Sequence, residues 1–200
     1  MKNSNALEKS KGFLVFAFDT DVISYVDIAD KTSSLIKKFT NLPVTLVTDI
    51  TSKTPLFDYD NIITVENTKQ NTKMFNGVNY EWRNHGRSSA YDLSPYDTTI
   101  LVDCDLLVLD DSLIKFVDTV QDYRLVFDSR DRTGPIYSRM GTNSLPFVWA
   151  TVVMFNKTDA TKLYFELIKR IEQNYGYYKT LFSGTGTYRN DYAFAIADII

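Results

Sequence analysis

The sequence predicts an α/β domain with a mostly parallel central sheet flanked by helices. Short apolar runs of strand length alternate with stretches whose apolar residues recur at helical spacing. Two of those runs break off in acidic residues, one at Asp19 and Asp21 and the other at Asp103 and Asp105. Ligands gather at strand carboxyl ends in open α/β sheets, so these ends mark candidate sites.

Taken in order, residues 13–18 form a continuous apolar run ending in Asp19, Thr20 and Asp21, which reads as a buried strand. Tyr25, Ile28, Ala29, Leu35, Ile36 and Phe39 follow at helical spacing, Asn41 and Pro43 stop that helix, and 44–47 make a second strand. Residues 62–65 are a weaker third strand, and 67–78 read as polar loop. A short helix opens at Asn84 or His85, runs through Arg87 and Ala90 to Leu93, and ends at Ser94 and Pro95. The strand from Thr98 follows, after which Asp110 or Asp111 caps a short helix bearing Leu113, Ile114, Phe116 and Val117. Residues 124–127 and 149–155 are further strands, separated by a long polar segment at 129–146 of a length that is often functional. Ala160, Leu163, Tyr164, Leu167, Ile168, Ile171 and Tyr175 trace one helical face. A glycine-containing loop at 183–187 then leads through Arg189, Asn190 and Asp191 into a last apolar helix.

A chain of 200 residues with 44% hydrophobic content suits one domain, expected over 12–200 behind a flexible polar segment at 1–11. The net charge of -3 gives no bulk attraction to nucleic acid or anionic lipid. No apolar run is long enough to span a bilayer, and the expected location is the cytoplasm. The aromatic residues are scattered, which fits packing rather than a stacking platform. Cys104 is the only cysteine and His85 the only histidine, so a cysteine cluster or a multi-imidazole zinc site is excluded. Any metal here leans on carboxylate oxygen, which points to Mg2+ or Mn2+.

The segment 98–109, TTILVDCDLLVL, is the sharpest feature. Strand alternation places Cys104 on one side and Asp103 and Asp105 together on the other, where one hard cation could bridge both carboxylates. Two like charges beside such apolar neighbours need a cation or hydrogen-bond donors to compensate them. A polar strand end is the plainer alternative.

The order of pieces resembles a GT-A glycosyltransferase, in particular the glycogenin-like nucleotide-diphospho-sugar transferases and related short bacterial or phage proteins. The matching elements are the first strand ending at Asp19 with Tyr25 beyond it, the second strand over 43–49, and Arg87, Leu93, Tyr96 and Asp97 ahead of Asp103 and Asp105. The resemblance implies a single GT-A-like domain in which Asp103 and Asp105 hold the cation on the diphosphate of a nucleotide sugar, a UDP-sugar first of all. It implies that Phe18, Asp19 and Tyr25 receive the nucleoside. Arg87 would contact phosphate or hold an acceptor carboxylate, with a solvated helix face as the alternative. Asp191 would lie on the sugar side, with a helix cap as the alternative. Ala150 and Thr151 match a small-residue segment near the donor sugar, which sheet packing explains equally well. His85 reads as a surface or helix-start residue. Many family members supply a third metal ligand, usually histidine, near the C-terminus, and nothing in this sequence matches it, as in a truncated domain or a site completed by water and diphosphate.

The expected activity is therefore metal-dependent transfer of a sugar from a nucleotide diphosphate donor to a hydroxyl acceptor on a glycan, protein or modified base. If phage-encoded, the protein would work in the host cytoplasm. The run FAFDTDVIS also resembles the start of a haloacid dehalogenase-type phosphatase, with Asp19 as nucleophile and Asp21 as acid/base, although Val22 and Ile23 replace the expected Gly and Thr. A nucleotidyltransferase would need a glycine-rich basic loop to hold a nucleotide triphosphate, and this sequence has none after Phe18. A non-catalytic nucleotide-sugar binder of the same fold is the remaining alternative.

Overall fold

The computed structural model describes residues 10–66, 71–75, 78–82, 85–127, 129–130, 136–137, 145–182 and 187–200. The first strand, β1 (Lys11–Phe16), is apolar and buried on both faces, as a central parallel strand must be. Its residues alternate between two cores: Leu14 and Phe16 face one, Phe13 and Val15 the other. Helix α1 (Tyr25–Thr40) starts at Ser24, whose hydroxyl accepts the Asp27 N–H, and stops at Asn41, which adopts φ 55°. Its buried face is Val26, Ala29, Asp30, Thr32, Ser33 and Ile36. Ile28, Leu35 and Phe39, which the apolar spacing put on the buried face, are half-buried on the flanks. The three polar residues are accommodated by bonds from Thr32 Oγ1 to the Cys104 carbonyl, from Ser33 Oγ to Tyr59, and from the Leu56 N–H to Asp30 Oδ2.

The strands β2 (Val44–Asp49) and β3 (Asn61–Val65) extend the sheet in parallel on one side of β1. β6 (Thr98–Asp103) pairs in parallel on its other side, with Phe16 opposite Asp103. Between them, β4 (Asn71–Phe75) and β5 (Val78–Trp82) form a two-stranded ribbon of their own. This corrects the polar-loop expectation for 67–78 over 71–75 and at 78; residues 67–70 and 76–77 lie outside the described residues. The strand 78–82, VNYEW, alternates apolar and polar residues, and Asn76-Gly77 ahead of it in the sequence is a hairpin signal; the polar reading passed over both. A 3-10 helix (His85–Ser89) runs into α2 (Ala90–Leu93).

After β6 come α3 (Ser112–Val117) and β7 (Tyr123–Phe127). Asp110 Oδ1 accepts the Ser112 N–H, whereas Asp111 makes no capping bond. The long polar segment contains a small pair, β8 (Ser129–Arg130) with β9 (Ile136–Tyr137). β10 (Val148–Asn156) then crosses the sheet antiparallel to both β6 and β7, giving the order β3-β2-β1-β6-β10-β7. α4 (Asp159–Gln173), α5 (Tyr175–Leu181) and α6 (Asn190–Ile199) complete one outer layer, while α1 and α3 contribute to the core on the opposite face. The result is a three-layer sandwich. On α4, Tyr164, Ile168 and Ile171 are buried as their spacing predicts, but Leu163 is exposed and Phe165 takes its place in the core.

Two features position the site. The chain leaves β1 toward β2 and later returns on the opposite side as β6, so a crevice opens at the carboxyl ends of β1 and β6. At the other end, Gly12 lies under the buried Tyr96 ring, whose hydroxyl sits 2.8 Å from Thr45 Oγ1; a Cβ there would run into the ring, and glycine permits the close approach. Among the described residues, no helix is long and apolar enough to cross a membrane.

Candidate active site

The crevice holds a cavity of about 290 Å³. Phe16, Ala17 and Phe18 line it from the end of β1, Tyr25 from the start of α1, and Gly86 and Arg87 from the 3-10 helix. Asp103, Cys104 and Asp105 close it at the end of β6, with Ala150 of β10 and Arg189, Asn190 and Asp191 at the start of α6. Residues distant in sequence converge because β10 runs antiparallel: its amino end meets the carboxyl ends of β1 and β6.

Arg87 is the centre of the polar network. Its side chain is 6% exposed, Nη1 is ion-paired with Asp103 Oδ1, and Nη2 donates to the Ala150 carbonyl at 2.5 Å. Burial pulls its pKa down to about 10, against the pull of the neighbouring carboxylates, Asp191 foremost. The solvated-face alternative for this arginine is thus corrected: the 3-10 helix turns it inward toward β6. Nε finds no partner among the described residues and is sealed from solvent. Asp103 Oδ2 accepts from Thr151 Oγ1 at 2.8 Å. The Ala150 N–H donates to Asp191 Oδ1 at 3.0 Å, and Asp191 Oδ2 accepts from Arg189 Nη2 at 2.7 Å. Asp191 is therefore tied to β10 and to Arg189, and the residue at the N-cap position of α6 is Arg189, which makes no side-chain cap.

These bonds to Ala150 depend on a local irregularity. The β10–β7 register shifts between Val148 and Val153, and the β10–β6 pairing begins at Val152. Ala150 thus lies outside both ladders, and its peptide groups bond to side chains instead.

Asp103 and Asp105 both line the cavity, but the alternation argument fails for them. β6 ends at Asp103, Cys104 and Asp105 sit in the turn beyond it, and Cys104 lines the same cavity. Asp105 is exposed and Asp103 half-buried. Phe18 and Tyr25 are cavity residues; the Tyr25 phenol pKa is raised by burial first and then by its electrostatic coupling to Cys104 and Asp105 nearby. Asp19 is placed differently. Its Oδ1 accepts the Val26 N–H and its Oδ2 the Lys53 N–H, while its own N–H donates to Ser52, so the carboxylate fastens α1 to the loop after β2 and does not line the cavity. Asp21 is exposed. His85 opens the 3-10 helix, but its side chain lies outside the described residues, as do residues 183–186 of the glycine-containing loop.

No protein-family model matches the sequence, and no curated protein matches it. Solved structures do. The galactosyltransferase LgtC, in a complex with donor and acceptor sugar analogues, superposes with a TM-score of 0.61 at 12% identity over 92% of this chain and 69% of LgtC. The glycosyltransferase GlyE of Streptococcus pneumoniae TIGR4 gives 0.53 at 14% identity over 95% of this chain. The bifunctional glycosyltransferase WbbM gives 0.51 at 15% identity over 84%. The chain has a GT-A-type glycosyltransferase fold. It spans 43% of GlyE and 35% of WbbM, and a larger share of LgtC.

Of the three carboxylates at the crevice, Asp191 is tied to β10 and Arg189, which leaves Asp103 and Asp105 as the candidate donor pair; among the described residues no cluster of three His, Cys, Asp or Glu side chains stands ready for a metal. Such a pair fits a hard divalent cation that completes its shell with ligand oxygens and water, as Mg2+ does. Gly86 and Arg189 escaped the sequence reading. A Cβ at 86 would press on the Phe16 and Phe18 rings at 3.2 and 3.4 Å, and a lone glycine is its only signal. Cys104 adds no nucleophile: burial first, then the charge of Asp105, push its thiol up to about 12. At neutral pH its thiolate fraction falls about a thousandfold below that of an ordinary thiol. Iodoacetamide is accordingly expected to label Cys104 in the native protein at least about 100-fold more slowly than in urea, and mass spectrometry of timed aliquots measures the ratio.

Proposed function

We propose that this protein is a metal-dependent glycosyltransferase that moves a sugar from a nucleotide diphosphate donor, a UDP-sugar, to a hydroxyl acceptor on a glycan, protein or modified base. The observation that carries this reading is the convergence of Asp103, Asp105, Arg87 and Asp191 on one cavity at the carboxyl ends of β1 and β6 of a GT-A fold. The structural neighbour LgtC binds donor and acceptor sugar analogues in its crystal, which supports a sugar-nucleotide ligand here.

In this reading Asp103 and Asp105 hold Mn2+ or Mg2+ against the donor diphosphate. When bound, the cation supplies Lewis-acid stabilisation of the charge that builds on the departing diphosphate. Arg87, buried beneath Asp103, fixes the orientation of that carboxylate. Phe16, Phe18 and Tyr25 offer an apolar wall to the nucleoside and exclude water from it. Asp191, held by the Ala150 N–H and by Arg189, presents its remaining lone pairs to the hydroxyls of the donor sugar. The compartment assigned is the cytoplasm, where the single thiol of Cys104 stays reduced.

The phosphatase alternative requires Asp19 as a free nucleophile, yet both its carboxylate oxygens accept backbone N–H bonds. Calorimetry of UDP-glucose with and without Mn2+, paired with a donor-hydrolysis assay, tests the proposal. Metal-dependent binding with slow hydrolysis supports it; binding without any hydrolysis or transfer supports the non-catalytic binder, and metal-independent binding overturns it. Turnover of para-nitrophenyl phosphate that needs Asp19 but not Asp103 would reverse the ranking.

A further inference from the structure

We infer that Arg189 is the oxyanion-binding residue of the cavity, taking a phosphate oxygen of the donor diphosphate or a carboxylate borne by the donor sugar; this rests on the sugar-nucleotide reading of the site. The cavity lining carries two arginines and three carboxylates, one acid more than base, so an anionic ligand needs every available cation. The two arginines are not equivalent. Arg87 is 6% exposed, and its terminal nitrogens are engaged by Asp103 and the Ala150 carbonyl. Its remaining donor, Nε, is sealed from solvent. Arg189 is 41% exposed on the same cavity, and among the described residues only its Nη2 is engaged by a carboxylate, that of Asp191 at 2.7 Å.

A guanidinium has five donors in a planar fork that matches phosphate and carboxylate oxygens. The bond to Asp191 holds one arm of that fork and sets its direction. The Tyr192 ring, 5.9 Å from the guanidinium carbon, flanks it. Neutralisation is thereby shared: Asp103 and Asp105 offer oxygen to a cation on one wall, and Arg189 offers N–H groups from another. With two carboxylates and no third side-chain ligand among the described residues, a cation here keeps much of its positive charge for the ligand, and Arg189 adds a second positive centre beside it.

The test uses the full chain, with Arg189→Gln, which keeps an amide donor near Asp191 but removes the charge, and Arg189→Lys, which keeps the charge but not the fork. Calorimetry in Mn2+ measures uridine, UDP, UDP-glucose, UDP-glucuronic acid and inorganic pyrophosphate. The expected result for Arg189→Gln is a roughly 10- to 100-fold loss with UDP and pyrophosphate, uridine unchanged, and partial recovery in Arg189→Lys. A loss confined to UDP-glucuronic acid places the oxyanion on the sugar instead, and equally supports the inference. Equal losses for uridine and UDP would mark a structural role and overturn it. If wild type binds UDP-glucose and Arg189→Gln binds every anionic probe equally well, the inference falls while the proposed function stands. If wild type binds no uridine nucleotide but binds pyrophosphate through Arg189, the proposed donor class falls while the inference stands. Failure of wild type to bind any of the probes overturns both.

Discussion

Asp103→Asn is expected to lower the free energy of unfolding by about 3–5 kcal/mol, the scale seen when a buried ion pair loses one partner. The reason lies in the asymmetry of the pair: the Arg87 side chain is 6% exposed and that of Asp103 37%. Removing the carboxylate charge strands a largely buried guanidinium whose Nε already has no partner among the described residues. Arg87→Met leaves the opposite charge behind, on a carboxylate that water does reach and that Thr151 still bonds, so its cost is smaller, about 1–3 kcal/mol. Urea denaturation of both variants measures the order, provided the slope of each transition is unchanged. A smaller loss in Asp103→Asn than in Arg87→Met would mean that Arg87 is not anchored by Asp103.

The second large effect is functional. Asp105→Asn is expected to abolish the Mn2+ dependence of UDP-glucose binding and to lower turnover by at least about 100-fold, because removal of even an outer-shell group at a metal site costs 10- to 100-fold. Asp105 lies in the turn after β6 and is exposed, and it has no ion pair among the described residues. Its loss should leave stability within about 0.5 kcal/mol. This separates it from Asp103→Asn, where lost activity and lost stability are confounded. Calorimetry with a Mn2+ titration, run beside a thermal melt, reads both quantities. Undiminished Mn2+ dependence in Asp105→Asn would remove the two-carboxylate metal site from the mechanism.

The strands of the main sheet were legible because runs such as 13–18 and 98–103 are apolar on both faces, and α4 because its apolar face recurs at helical spacing. The D-x-D position was legible too, since acidic residues ending an apolar run are conspicuous. Its geometry was not. Alternation holds only while the strand lasts, and β6 stops at Asp103, which puts Cys104 and Asp105 in a turn. The burial of Arg87 depends on a counter-ion from β6 and a carbonyl from β10, neither of which local spacing encodes. Asp19 misled for the same reason: an acidic residue at a strand end looks the same whether it faces a ligand or, as here, the N–H groups of Val26 and Lys53. Arg189 carried no local signal at all, since an arginine at a helix start is ordinarily solvated.

The irregularity in β10 has a consequence for how the site could change over evolution. The peptide groups of Ala150 hold Arg87 from one side and Asp191 from the other. Two opposite charges are thereby kept apart by main chain rather than joined to each other. Position 150 could drift among small residues without disturbing either contact, because neither uses its side chain. An insertion or deletion of one residue in 148–153 would misalign both at once. The vulnerability of this site is thus to changes in spacing, and a survey of substitutions alone would underestimate how tightly that stretch is constrained.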